Sequence, residues 1–401
     1  MRISTTTLFT EGVTAMQQMQ SNLARTNLQI ATGQRMLSPA DDPAGAARAI
    51  ELNQSNASNT QFASNRNTAI NTLALEEGIL SSVTSVLQDI RDLALEAVGQ
   101  AQSTTSLKGL ATSLRGRMEE MMGLANSTDG IGNYLFSGGQ GKVKPFVATA
   151  SGASYQGDDV QRLIQVAPSR QMAATDSGGD IFMRIRNGNG TFQTAAGTAN
   201  TGSGTIDQGQ PLSIPFNGNS YRVTFTSATT FDVLNVTTGT SVSSGNAYVS
   251  GQAISFDGIQ FEIKGAPASG DTFDVAPSSN QSVFDTMSQL LATLEAPPLA
   301  GDAAANAKFQ QGLQQANGEL KQSLDNVLAT RATVGGRLRE LDSLQATGEE
   351  LGLQYAQSLS KIQDTDYIQA VTDLNRQQLA LEASQQSFAR VSQLSLFNYL
   401  N

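Results

Sequence analysis

The chain has 401 residues with 25 basic and 35 acidic side chains, a net charge of −10, and no cysteine, histidine or tryptophan. The missing residue types exclude disulfides, thiol or imidazole catalysis, and zinc sites built from Cys and His. The acidic balance disfavours nucleic-acid binding, and no apolar run approaches the roughly 18 residues of a membrane span. We therefore expect no enzyme, no cofactor, no metal ion, no nucleic-acid partner and no membrane insertion.

The first predicted element is a terminal helix with a narrow apolar seam. Its surroundings are short of charge and rich in Gln, Asn, Ser and Thr, so little apolar surface is available to stabilise it as an isolated helix. We expect residues 1–45 to be disordered in the free monomer and helical only against partners. The seam residues recur at a spacing of about 3.5 and are Phe9, Met16, Met19, Leu23 and Ile30.

The loop after this helix carries two helix-boundary signals. Gly33 can end the first helix with a positive φ, and Asp42 before Pro43 supplies an N-cap with proline at the first helical position. Two interpretations of Arg35, Asp41 and Asp42 remain open. These charges shape a helix–loop–helix corner, or they contact a neighbouring subunit.

Long helices are predicted on both sides of the chain's middle. From Leu52 to Ala97 one heptad phase continues without a break, and ten of its fourteen a and d positions are apolar. A helix of about 50 residues would be about 75 Å long, so these helices are expected to pack lengthwise as a coiled-coil rod over 46–180 and 283–364. The polar interruptions are Ser55, Asn59, Arg66 and Glu76 in the first stretch, and Asn317, Arg331, Gln345 and Gly348 in the far stretch.

The middle of the chain has the composition of an antiparallel β domain. Of the 37 glycines, 22 fall between Gly130 and Gly270, and alternating β-branched and aromatic runs occur at 221–226, 231–236, 253–256 and 259–263. Short strands separated by glycine turns are typical of such a domain. The predicted fold is therefore mainly α with a β domain inserted at 181–282.

A carboxylate-dependent hydrolase in the β domain is the enzymatic alternative. It would require two acids that converge in a pocket. The candidate acids look like turn or strand-surface positions and are Asp207, Asp232, Asp257, Glu262, Asp271 and Asp274.

The C-terminal segment mirrors the N-terminal one. A second weak seam at the same spacing predicts a helix that pairs with the first, so residues 1–45 and 365–401 are expected to form one terminal helical domain. Its seam residues are Val371, Leu374, Leu381, Phe388 and Val391.

These segments resemble a known family. The loop at 32–45 closely resembles the N-terminal signature of bacterial flagellins and their relatives, and the order of paired ends, helical rod and central β domain resembles theirs too. Within that family, residues 124–139 and the ending at 394–401 resemble the hook–filament junction branch more than the filament flagellins.

The resemblance implies a structural role outside the cell. It implies export in an unfolded state through the flagellar secretion channel, without a cleaved signal, and assembly as a helical ring of copies between the first hook-associated protein and flagellin. It also implies an export apparatus and an export chaperone that binds the C-terminal helix. The residues expected in that chaperone and assembly interface include Leu381, Phe388, Val391, Leu394 and Phe397. The alternative within the family is flagellin itself, the bulk filament subunit.

Overall fold

The computed structural model describes residues 5–99, 103–298 and 301–393. Its α-helices are α1 (Thr5–Thr32), α2 (Pro43–Gly99), α3 (Thr104–Ala125), α4 (Val283–Glu295), α5 (Ala303–Gln363) and α6 (Tyr367–Gln393). Its strands are β1 (Phe146–Thr149), β2 (Gly152–Tyr155), β3 (Leu163–Ala167), β4 (Arg170–Ala173), β5 (Ile185–Arg186), β6 (Phe192–Ala196), β7 (Thr205–Ile206), β8 (Gln210–Pro211), β9 (Tyr221–Ser227), β10 (Thr230–Asn235), β11 (Thr240–Ala247), β12 (Ala253–Phe256), β13 (Ile259–Lys264), β14 (Thr272–Pro277) and β15 (Asn280–Gln281).

This architecture confirms the predicted fold class of long helices at both ends and an antiparallel β domain between them. The heptad stretches lie in α2 and α5, and the four alternating runs lie in β9, β10, β12 and β13. Helix α4 was not predicted, although Ser282 caps it by accepting a hydrogen bond from the backbone N–H of Phe284. Because α4 is short, its apolar residues repeat over too few turns for the pattern to stand out in the sequence.

The chain forms two compact units. Within the described residues, the first comprises the segments up to Ser64 and from Ser343 onward, and the second spans Asn65–Asp342. Helices α2 and α5 contribute to both. The three-part division drawn from composition stays a prediction.

In the second unit, the heptad phase of α2 describes its buried face. Every a and d position from Arg66 to Ala97 is buried, including the two polar interruptions Arg66 and Glu76. Both side chains form hydrogen bonds with backbone groups outside α2. Arg66 donates to the backbone carbonyl of Val166 at 3.0 Å, and Glu76 accepts from the backbone N–H of Asp176 at 3.2 Å. The interruptions thus mark where the chain after β2 packs on α2.

Two polar pairs fix the register of α2 against α5 in this unit. Arg331 donates twice to one carboxylate oxygen of Glu77, at 2.7 and 2.9 Å. Arg91 donates to the side-chain oxygen of Asn317 at 3.1 Å. From 77 to 91 and from 331 to 317 the step is 14 residues on each helix, which is two heptads. The antiparallel helices therefore keep one seam over this length.

A cluster of aromatic rings joins α4 to the loops and hairpins that follow α3. Phe146 on β1 lies within 5.5 Å, centroid to centroid, of Tyr155, Phe182 and Phe284. Phe136 meets Phe182 edge to face at 5.5 Å. All four phenylalanines are fully buried, so this cluster is the core under the β1–β2 hairpin.

The β domain packs two antiparallel sheets on one apolar core. One sheet has the order β11-β10-β9-β14-β6, and the other has the order β12-β13-β7 with β8 beside β13. Inward residues alternate along the central strands, as on β9 with Tyr221, Val223 and Phe225. Across from them on β13 lie Ile259, Phe261 and Ile263.

The described helices include none that is long and apolar enough to cross a membrane.

Candidate assembly surface

The terminal helices α1 and α6 pack against each other in the first unit. Near one end the rings of Phe9 and Phe388 lie 4.9 Å apart, and Gly12 leaves room for Phe388, because a Cβ at Gly12 would come within 3.0 Å of that ring. Near the other end Gly33 lies beside the hydroxyl of Tyr367. The two helices therefore run antiparallel, as the predicted pairing of the chain ends requires.

A polar contact lies between these two positions, nearer to the Gly33 end. The Thr26 hydroxyl donates to the side-chain oxygen of Gln377 at 3.1 Å, and Thr26 is buried. Thr26 also bonds its own helix at the Asn22 carbonyl, 3.1 Å away. A buried hydroxyl needs hydrogen-bond partners, and this one fixes the position of α1 along α6.

Backbone hydrogen bonds tie the loop after α1 to the end of α5. Gly33 has a φ of +72° and ends α1 as predicted, which turns its carbonyl toward the N–H of Thr365 at 2.9 Å. The N–H of Arg35 donates to the Gln363 carbonyl at 2.7 Å, and the Arg35 guanidinium reaches the Ile362 carbonyl at 2.9 Å. The first helix and the last are thus held at a common corner.

The three loop charges all have partners in the same chain. Asp42 caps α2 by accepting from the N–H of Gly45 at 2.9 Å and lies 3.6 Å from Arg35, which confirms the predicted cap. Asp41 accepts from the N–H groups of Leu37 and Ser38 and pairs with Arg25 at 2.8 Å. These backbone hydrogen bonds lower the pKa of Asp41, with Arg25 adding to the effect. The geometry is that of a helix–loop–helix corner, and a contact with a neighbouring subunit stays a prediction.

The predicted seams are incompletely covered by this packing. Phe9 stays 54% exposed, and Val371 and Val391 are exposed as well. The remaining described seam residues are half-buried, namely Met16, Met19, Leu23, Ile30, Leu374, Leu381 and Phe388. Leu394 and Phe397 lie outside the described residues.

Several exposed apolar residues of this unit belong to neither predicted seam. Ile368 is 84% exposed, the largest value among these residues. They lie on α1, α2, α5 and α6 and were missed because only residues at heptad spacing were collected. They are Leu28, Ile50, Leu351, Leu353, Tyr367, Ile368 and Leu379. We refer to these exposed residues, together with Phe9, Val371 and Val391, as the outer apolar face.

Three of the candidate acids of the β domain bond to its own backbone or to a neighbouring side chain. Asp207 accepts from the N–H groups of Gly209 and Glu262, and Asp271 accepts from Thr201, Gly202 and Ala268. Asp274 pairs with Arg222 in two hydrogen bonds. Each of these carboxylates supports a turn or a strand pair. Among the described residues, no group of three or more Asp or Glu is placed to hold a metal ion.

Two known protein families match this chain, one in its N-terminal helical part and one in its β domain. The family described as the bacterial flagellin N-terminal helical region matches residues 3–140. A second family, described as the D2-like domain of flagellar hook-associated protein 1, matches residues 185–277. The flagellar hook-associated protein 3 of Salmonella typhimurium is 27% identical over 397 residues, covering 99% of both chains.

Solved structures agree with these sequence matches. FlgL of Xanthomonas campestris is 31% identical, with a TM-score of 0.72 over 77% of this chain and 99% of its own. The flagellar junction protein FlgL of Legionella pneumophila is 27% identical, with a TM-score of 0.70 over 79% of this chain and 100% of its own. Flagellins are more distant, as polar flagellin F of Vibrio parahaemolyticus is 24% identical over 91% of this chain. The chain belongs to the family of flagellar hook-associated protein 3, FlgL, a component of the bacterial flagellum.

Proposed function

We propose that the chain is the structural adapter that joins the first hook-associated protein to the flagellin filament. The observation that carries this proposal is the full-length similarity to hook-associated protein 3, including a structure described as the flagellar junction protein. The fold offers a surface suited to the role, since the terminal helices α1 and α6 lie in one unit with apolar side chains left uncovered. No catalytic step belongs to this role.

The outer apolar face is the part of the molecule that we assign to assembly. Large apolar side chains at high exposure, such as Ile368 and Leu379, are unfavourable in water and are typical of surfaces that bind protein. We assign its binding partners as further copies of the chain, the first hook-associated protein and flagellin.

The same incomplete packing fits export before assembly. Among the residues of α1 and α6 whose burial the structure describes, only Thr26 and Ala370 are buried, so the pair contributes little to the stability of a free monomer. A chain whose ends unfold readily can pass a narrow secretion channel and reach the cell exterior. An export chaperone would cover Leu381, Phe388 and Val391 during this stage.

The proposal is tested by deleting the gene and examining the cells by electron microscopy, with flagellin assayed in the spent medium. We expect bare hooks with flagellin shed into the medium, because exported monomers would have no junction to dock on. Bare hooks without flagellin in the medium would instead identify the chain as the filament subunit. Intact filaments would contradict both roles.

A further inference from the structure

An isoleucine projects from a firmly held loop in the second unit. Ile131 is 79% exposed and lies between Gly130 and Gly132 in a tight turn. The two glycines have φ angles of +73° and +83°, a backbone conformation that residues with a side chain rarely adopt. Asp129 closes the turn by accepting from the N–H groups of Ile131 and Asn133, at 3.2 and 2.9 Å. Ile131 is therefore presented in one position, and little conformational freedom would be lost when it binds.

A cation lies beside this tip. The amine of Lys142 donates to the carbonyls of Gly132 and Ile131, at 3.3 and 3.5 Å. It forms no ion pair within the described residues, and its side chain is exposed. We call Ile131 with Gly130, Gly132 and Lys142 the knob.

The same unit contains an apolar groove of about 570 Å³ that the knob of its own chain does not enter. The groove lies between α3, the β1–β2 hairpin and α4. Its walls include Met118, Met122, Phe284 and Leu291. Methionine side chains are flexible and adapt to the shape of an apolar guest.

The rim of the groove carries an excess negative charge. Arg115 and Glu295 on opposite sides pair with each other, so their charges cancel. Glu119 also lines the groove, is exposed, and has no ion-pair partner in the described part of the chain. The groove therefore matches a guest with an apolar tip and a neighbouring cation.

We propose that the knob of one copy of the chain inserts into the groove of the next copy, with Ile131 against Met118 and Met122 and Lys142 against Glu119. The glycines on both sides of Ile131 leave room for the groove walls. Because knob and groove are different surfaces of the same chain, the contact is heterologous and repeats from subunit to subunit. The proposal rests on the proposed function in placing several copies side by side at the junction.

The native chain has no cysteine, so an introduced pair reports this contact without background. Cells producing both an Ile131→Cys chain and a Met122→Cys chain are grown, their flagella are isolated, and the flagella are oxidised mildly. We expect a disulfide-linked dimer of the 42.2 kDa chain on a non-reducing gel, and no dimer from either variant alone. The matched control replaces Ile131→Cys with Ile214→Cys, an apolar position of the β domain with 66% exposure, and should give no dimer.

The charge pair gives a second readout that does not depend on cysteine. Lys142→Glu and Glu119→Lys should each reduce swimming, and the double variant should restore it, because the attraction is recreated with reversed signs. Three results would overturn the knob–groove contact while leaving the adapter role intact. They are attached filaments without a dimer, an equally strong dimer with Ile214→Cys, and a cross-link to a different protein. Failure of the double variant to swim better than the single variants would also overturn it. The adapter role fails separately, through intact filaments in the deletion strain.

Discussion

The carboxylate of Glu76 accepts a hydrogen bond from the backbone N–H of Asp176 at 3.2 Å inside the helical part of the second unit, where Glu76 is fully buried. Its other oxygen, Oε2, has no hydrogen-bond partner among the described residues. Burial, reinforced by the nearby Asp176 carboxylate, raises the pKa of Glu76 to about 8, although Arg337 and Arg162 act in the opposite direction. Asp176 itself is held by two hydrogen bonds from Arg337 at 2.8 and 3.0 Å.

Glu76 should make the stability of the chain depend on pH. Between pH 4.5 and about 8 the folded state holds a proton on Glu76 that the unfolded state releases, so the free energy of unfolding falls as pH rises through this window. The fall is at most about 1.4 kcal/mol per pH unit. Glu76→Gln, which keeps the acceptor oxygen, should be more stable than the native chain at pH 8.5 and lose this advantage near pH 5.

Urea unfolding followed by circular dichroism at both pH values measures this effect. Glu319 is also buried, and burial raises its pKa, so it adds to the same trend in both proteins and cancels in the comparison. An advantage of Glu76→Gln that is equal at both pH values would contradict a protonated Glu76.

The pair between α2 and α5 should contribute measurably to stability. Arg331 and Glu77 are mostly shielded from water, with side-chain exposures of 26% and 32%. Arg331→Ala would leave Glu77 partly buried without its cation, and we expect a loss of about 1–2 kcal/mol, between the values typical of exposed and buried pairs. Arg48→Ala is the matched control, because Arg48 and Glu51 form an exposed pair on one helix. Chemical denaturation measures the free energy of unfolding of both variants. An equal loss of stability in the two would argue against a role for burial.

The outer apolar face should be needed for assembly and not for folding. Ile368→Asp places a charge at its most exposed residue, so the free energy of unfolding should change by less than about 0.5 kcal/mol. Swimming should nevertheless be lost, because a charge buried between subunits is unfavourable. Ile214→Asp, at a comparably exposed position in the β domain, is the control and should swim. Normal motility of the Ile368→Asp strain would remove this face from the interface.

Removal of the last twenty residues should separate assembly from folding. The truncated segment includes Phe388 and Val391, so α1 loses the ring that lies against Phe9. The second unit, Asn65–Asp342, contains none of these residues and should stay folded by circular dichroism. Cells that make only the truncated chain should carry hooks without filaments. Normal filaments on such cells would show that the C-terminal segment is dispensable.

Much of the fold was predictable because its signals are local or periodic. The heptad phase of α2 gave the buried face correctly from residue 66 to residue 97, and the alternation on β9 gave its inward residues. The candidate surface was predicted less completely. Heptad spacing collects the residues of one seam, whereas Leu28, Leu379 and Ile368 lie on other faces of their helices. Their exposure depends on which face the partner helix covers.

The helix ends at Gly33 and Asp42 could be predicted because each depends only on a residue and its near neighbours. Gly33 ends α1 because glycine tolerates a φ of +72°, and Asp42 starts α2 because its carboxylate reaches the free N–H of Gly45. The partners of the polar residues in the long seams, in contrast, depend on segments far away in the chain. Glu76 meets a backbone N–H 100 positions away, and Arg331 meets a carboxylate 254 positions away. A polar residue at a heptad position looks the same in the sequence whether it bonds to water or to a distant part of the chain. Whether it is buried therefore depends on which segment packs over it in the folded structure.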